Sequence, residues 1–194
     1  MKLSIIVRLR KRPRVLVGLL VVIALGSSLL IARQVLPSHV YWSQPDQDRM
    51  TRDVASLHKV LPTLEQLQVE EFRNQDWCRN LAYSGGRFSN TLQTTCNLFD
   101  GSPVDFTSKA NADFARIADA LNSSGVWIHL VWQVQYDAAG RATYAEFDLN
   151  PAPWDSHRWS YVYDPGGPLP ADMVNEESYT RIDSDWYFHW EDWM

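Results

Sequence analysis

The longest unbroken apolar stretch runs from Val15 to Ala32, VLVGLLVVIALGSSLLIA, and carries no charged residue. As a helix rising about 1.5 Å per residue it spans roughly 27 Å, close to the ~30 Å hydrocarbon thickness of a bilayer. The pattern therefore predicts a transmembrane signal-anchor over residues 15–32. Lys2, Arg8, Arg10, Lys11, Arg12 and Arg14 precede it, Arg33 alone follows, and the first acidic residue is Asp46. The positive-inside rule then leaves residues 1–14 in the cytoplasm and exports everything beyond the span. The competing reading is a secretory signal cleaved near Ala24-Leu25-Gly26, which would release the chain. Leu29-Leu30-Ile31-Ala32 extends the apolar run past the usual signal core, which favours the anchor.

Residues 33–45 form a juxtamembrane linker, and the patterning resumes in residues 46–194. Met50, Val54, Leu57 and Leu61 recur at helical spacing until Pro62. Thr63-Leu64-Glu65-Gln66 has the form of a capping box, with Thr63 as N-cap of a second short helix. Two β-like runs follow, Trp77–Tyr83 and Thr91–Phe99, around Ser84-Gly85-Gly86-Arg87. Over 107–122 the stripe Ala110, Phe114, Ile117, Leu121 predicts a helix capped by Thr107 or Ser108 and ended by Gly125.

The strongest β pattern is a hairpin of Val126–Tyr136 and Arg141–Leu149 about Asp137-Ala138-Ala139-Gly140. A positive φ is expected at the glycine. Alternation puts Val126, Ile128, Leu130, Trp132, Val134 and Tyr136 on one face of the first strand, and Thr143, Ala145, Phe147 and Leu149 on one face of the second. Pairing Tyr136 with Arg141 sets Ile128 opposite Leu149, Leu130 opposite Phe147 and Trp132 opposite Ala145. That face is expected to bury the 107–122 helix. Arg158–Tyr163 and Arg181–Trp190 read as further strands, separated by the Pro- and Gly-rich loop from Asp164 to Pro170. The fold expected is α+β: an antiparallel sheet of four to six strands with helices packed on one face.

Charge divides the chain sharply. All 23 acidic residues follow Arg33, with only 11 of the 18 basic ones, so the exported part carries a net −12 against −5 for the whole. Such a domain lacks the clustered Lys and Arg that neutralise phosphates, which argues against nucleic acid and anionic lipid surfaces as partners. All nine Trp lie beyond residue 41, and aromatics favour strands. Three of them fall in the tail Trp186–Met194, which either closes the core or offers a recognition surface. Cys78 and Cys96 are the only cysteines. If residues 84–90 are a hairpin loop, the two fall opposite each other, and export makes a disulfide the favoured reading over a redox pair.

Candidate chemistry is confined to the second face of the hairpin. There the expected register sets His129 opposite Asp148 and Val131 opposite Glu146. A neighbouring strand could add Arg158, Ser160, Tyr187 or His189. A histidine held by a carboxylate near a hydroxyl is suited to general acid–base work, and His129, Glu146, Asp148 and His189 offer N and O donors to a divalent metal. No HExxH, GxSxG or phosphate-loop pattern accompanies them, so the reading assigns no cofactor and no metal. The function expected is a membrane-anchored, extracytoplasmic binding domain for a protein or peptide of the envelope. Two alternatives are an envelope hydrolase or metal-dependent enzyme centred on His129, and an assembly factor acting through the membrane helix. Gly18 and Gly26 do not make the GxxxG spacing that would support the last.

Overall fold

A computed structural model describes residues 43–75, 78–84, 93–94, 106–149 and 157–192. The expected span 15–32 and Cys96 lie outside them. Among the described residues no helix is long and apolar enough to cross a membrane.

Helix α1, Gln47–Leu57, starts where Asp46 accepts a hydrogen bond from the Arg49 amide, and it buries Met50, Val54 and Leu57. Helix α2, Leu61–Leu67, begins three residues earlier than the capping-box reading allowed. Its N-cap is Val60, not Thr63, and Pro62 sits in its first turn, where a missing N–H costs nothing. Helix α3, Ser108–Ser124, follows its sequence signals closely. Thr107 accepts from the Ala110 amide, and Gly125 ends the helix at φ +72°.

The strands are β1 (Val69–Gln75), β2 (Cys78–Tyr83), β3 (Gln93–Thr94), β4 (Ile128–Tyr136), β5 (Ala142–Leu149), β6 (His157–Tyr163), β7 (Glu177–Arg181) and β8 (Trp186–Asp192). They form one antiparallel sheet in the order β3-β2-β1-β4-β5-β6-β8-β7, with β3 contributing two residues. The sheet is thus larger than the four to six strands expected. Strand β1, VEEFRNQ, escapes the alternation rule because a register shift between Val69 and Glu71 puts core residues Val69 and Phe72 three apart. Strand β7, ESYTR, is a polar edge strand. The expected single strand Arg181–Trp190 is broken at 182–185, where Asp183 Oδ1 accepts from the amides of Asp185 and Trp186 at 2.8 Å each and turns the chain.

All three helices bury their apolar stripes in one cluster with Val69, Phe72, Ile128, Val131, Phe147, Tyr161 and Phe188 of the sheet. The main sheet contact of α3 is with β1 rather than with the hairpin: Phe114 meets Phe72 at 4.6 Å between ring centroids. Within the hairpin, Gly140 has the expected positive φ of +77°, and Asp137 accepts from the Ala139 and Arg141 amides.

The register starts as expected at Ile128↔Leu149 and then slips. Leu130 pairs with Asp148, Val131 with Phe147, and Trp132 with Glu146. The extra residue of this first bulge is His129, and a second irregularity follows between Trp132 and Gln135, with Gln133 at φ +54°. The bulge corrects the face assignment. Val131 turns to the helices, while Leu130 and Trp132, expected in the core, turn to the opposite face. On β5 the slip replaces Thr143, which is exposed, with Ala142 in the core.

Candidate functional site

The face opposite the helices is built from rows running across five strands. Leu130, Asp148, Ser160, His189 and Tyr179 are successive partners across β4, β5, β6, β8 and β7. The next row holds Trp132, Glu146, Val162, Tyr187 and Arg181, and a third holds Arg158, Glu191 and Glu177. Alternation along each strand directs these side chains away from the helical core.

Arg158 organises this surface. Its Nε donates to Asp148 Oδ2 at 2.9 Å and its Nη2 to Asp148 Oδ1 at 2.8 Å, a forked pair. Nη2 also donates to Glu146 Oε2 at 2.6 Å, and Nη1 reaches Glu191 Oε2 at 3.4 Å. The guanidinium carbon lies 4.0 Å from the centre of the Trp132 ring. Burial works against the arginine's charge, but the Asp148 hydrogen bonds and the charges of Asp148, Glu146 and Glu191 outweigh it and raise its pKa.

The carboxylates have further partners. Ser160 Oγ, fully buried, donates to Asp148 Oδ1 at 2.8 Å, and Tyr144 OH donates to Glu146 Oε1 at 2.6 Å. Burial and the Glu146 carboxylate together push the Tyr144 hydroxyl well above its ordinary value, so it stays a donor. At the β7 side the Tyr179 and His189 rings stack at 4.6 Å, and Tyr179 OH donates to Glu177. Four carboxylates, Glu146, Asp148, Glu177 and Glu191, thus surround Arg158 and His189. Taking such charges out of water costs several kcal/mol per ion, so the cluster gives the fold little net stability.

The His129–Asp148 pair expected from the unbroken register does not form. His129 occupies the bulge, and its Nδ1 is buried without a partner. Burial lowers its pKa, a shift that the Asp148 charge opposes and those of Arg73 and Arg158 reinforce. His189 does reach this face. Its Nε2 lies 3.9 Å from Glu177 Oε2, and burial likewise lowers its pKa.

Asp148, Ser160 and His189 lie side by side, but their order is wrong for an activated nucleophile. The serine hydroxyl is in the middle and gives its proton to the carboxylate, whereas attack requires it to donate to the imidazole. Among the described residues no three side chains of His, Cys, Asp or Glu converge to hold a metal ion.

Reading the sequence missed Trp132, Tyr144, Glu177, Tyr179 and Glu191. Trp132 was unreadable because only the bulge turns it outward. Tyr144 shares its strand face with Glu146 by simple alternation and was overlooked, and the remaining three needed the strand order. Of the tryptophan-rich tail, Trp186 is core, packed on Phe147 and Tyr163, and Trp190 is half-buried against the same cluster. Trp193 lies outside the described residues.

Comparison with protein-family models, curated proteins and solved structures returns no match.

Proposed function

We propose that the protein is a single-pass, membrane-anchored binding domain that holds an envelope protein or peptide on the sheet face opposite its helices. The observation that carries this reading is the Arg158 cluster. A forked ion pair, two further carboxylates and a stacked indole are assembled where none of the described helices packs. Such a cluster adds little stability, but it holds charged and aromatic groups in a fixed pattern. A partner then binds without first ordering those side chains, which is how preorganised surfaces gain affinity. The excess of carboxylate over guanidinium on this face, together with the acidic composition of the exported part, favours a cationic partner.

Export rests on the apolar run 15–32 and its basic flank, and the Cys78–Cys96 bridge rests on export. The pairs Asn80↔Thr94 and Leu81↔Gln93 belong to the same register that the bridge requires. Cys78 itself is buried at the start of β2.

Site-specific photo-crosslinking in the native membrane tests the reading. A photoreactive residue at Tyr144 or Tyr179 should give a discrete adduct, and one at Asp48 or Asp119 on the helical side should not. Adducts of equal yield from both sides, or from the helical side alone, would overturn it.

A further inference from the structure

Strand β7 is the last strand of the sheet, and among the described strands it pairs with β8 alone. None of its five residues belongs to the hydrophobic core. Three of them meet β8 on the face opposite the helices: Glu177 opposite Glu191, Tyr179 opposite His189 and Arg181 opposite Tyr187. The first pair sets like charges across the ladder, which works against the pairing. In the third the Arg181 guanidinium stands 5.7 Å from the Tyr187 ring centre. The second is the close contact, with the rings only 3° from parallel at 4.6 Å. The Glu177 amide donates to the Met173 carbonyl and the Tyr179 amide to Asp172 Oδ1, both away from β8. By alternation the Ser178 and Thr180 amides face β8.

His189 is 8 % exposed, and its Nε2 is buried without a hydrogen-bond partner. The Tyr179 ring covers one side of the imidazole. The charged groups facing it are Glu177 from β7, Glu191 from β8, Glu146 from β5 and Arg158 from β6. Tyr187 flanks it on β8, and Ser160 separates it from Asp148 along the row. The facing carboxylates are already engaged. Glu177 accepts from Tyr179 OH, and Glu146 and Glu191 accept from Arg158. The Glu177 Oε2 atom stands 3.9 Å from Nε2, beyond hydrogen-bond reach. A proton on this ring therefore makes a buried cation with no free acceptor, among the costliest groups a fold can hold. Freeing an edge strand that buries no core side chain costs less, because sheet margins open at small free energy.

We infer that His189 is a proton-operated latch: when its ring takes up a proton, Tyr179 unstacks and strand β7 leaves β8, while the inner strands stay paired. Burial lowers the pKa of the ring, in keeping with that order of events. The latch stands apart from the binding reading above. Its consequence for that reading is that acid takes Glu177 and Tyr179 off the proposed face.

Hydrogen–deuterium exchange of the full-length protein in detergent, corrected for the chemical exchange rate at each pH, tests the latch. The Ser178 and Thr180 amides should lose protection about tenfold per pH unit below pH 6.5, the slope of one proton. The amides of β5, in the interior of the sheet, should still be protected where those of β7 have exchanged. His189→Phe keeps an aromatic ring against Tyr179 and should abolish the pH dependence of β7. The wild type supplies a second measurement that needs no variant: the His189 ring signals in NMR should titrate over the same pH range as the loss of β7 protection. Four results would each overturn the inference: unchanged protection of Ser178 and Thr180 down to about pH 5, exchange of β5 together with β7, the same pH slope in His189→Phe, or a ring that titrates while β7 stays protected.

Discussion

Arg158 and Asp148, ten residues apart on neighbouring strands, meet through two parallel contacts of 2.9 and 2.8 Å. Both side chains are largely buried, so the pair matters most for what its loss would leave behind. Replacing Arg158 with methionine strands the Glu146 and Asp148 carboxylates without their cation. That should destabilise the fold by about 3 kcal/mol or more. At roughly 2–4 °C per kcal/mol for a domain of this size, the melting temperature should fall by about 6 °C or more. Adding Glu146→Gln and Asp148→Asn should restore part of the loss, because the stranded charges are then gone. A single Arg158→Met variant as stable as wild type in thermal melts would contradict the assignment.

Acid should loosen the fold through two histidines. Burial lowers the pKa of both His129 and His189 from the ordinary 6.5. Below pH 6.5 the unfolded chain therefore binds protons that the folded chain refuses. Stability is fully present above that value and is lost as the pH falls through it. His189 faces Glu146, Arg158, Glu177, Glu191 and Tyr179, and His129 faces Asp148, Arg73 and Arg158. The His129→Gln, His189→Gln double variant should show a shallower fall in urea midpoint between about pH 7 and pH 5. Identical slopes for variant and wild type would remove the histidines from the explanation.

Two left-handed backbone positions give mutations of opposite sign. Gly125 ends α3 at φ +72°, and a methyl group built there meets nothing within 4 Å. Gly125→Ala should therefore cost about 1 kcal/mol from backbone strain alone. Gln133 occupies a similar region at φ +54° with a side chain attached. Gln133→Gly should stabilise by about 0.5–1 kcal/mol, less than the full strain because glycine loses more entropy on folding. Denaturant titration of the two variants checks both signs.

The cysteine bridge makes its own prediction. Alkylation without reduction, followed by mass spectrometry, should leave Cys78 and Cys96 unmodified. Reduction should lower stability by about 3 kcal/mol in the chain-entropy view of a loop this long. Two alkylated cysteines in the unreduced protein would end the proposal.

How much of this was legible beforehand depends on whether a local signal was enough. The α3 caps, the Gly140 turn and the Ile128↔Leu149 pairing rest on adjacent residues, and they are found where expected. His129 shows the limit. One bulged residue reverses the side chains from Leu130 to Trp132, until the second irregularity restores Val134 to the core, so Trp132 changed from a core residue to the aromatic cover of Arg158. Nothing in the alternation of IHLVWQV announces that bulge, because Ile128, Leu130, Trp132 and Val134 alternate without a break. Strands β1 and β7 were lost for a related reason. One is bulged and the other is a polar edge, so neither alternates. The gathering of Asp148, Ser160 and His189 depended on β6 and β8 being neighbours, a relation between strands that no local pattern encodes.

The most direct measurement is hydroxyl-radical footprinting of the full-length protein in its native membrane, compared with the same protein purified in detergent. Trp132, Tyr144 and Tyr179 should be less oxidised in the membrane than after purification, while exposed His58 on the helical side should be unchanged. Equal oxidation of Trp132, Tyr144 and Tyr179 in the two preparations would contradict a partner on the face opposite the helices.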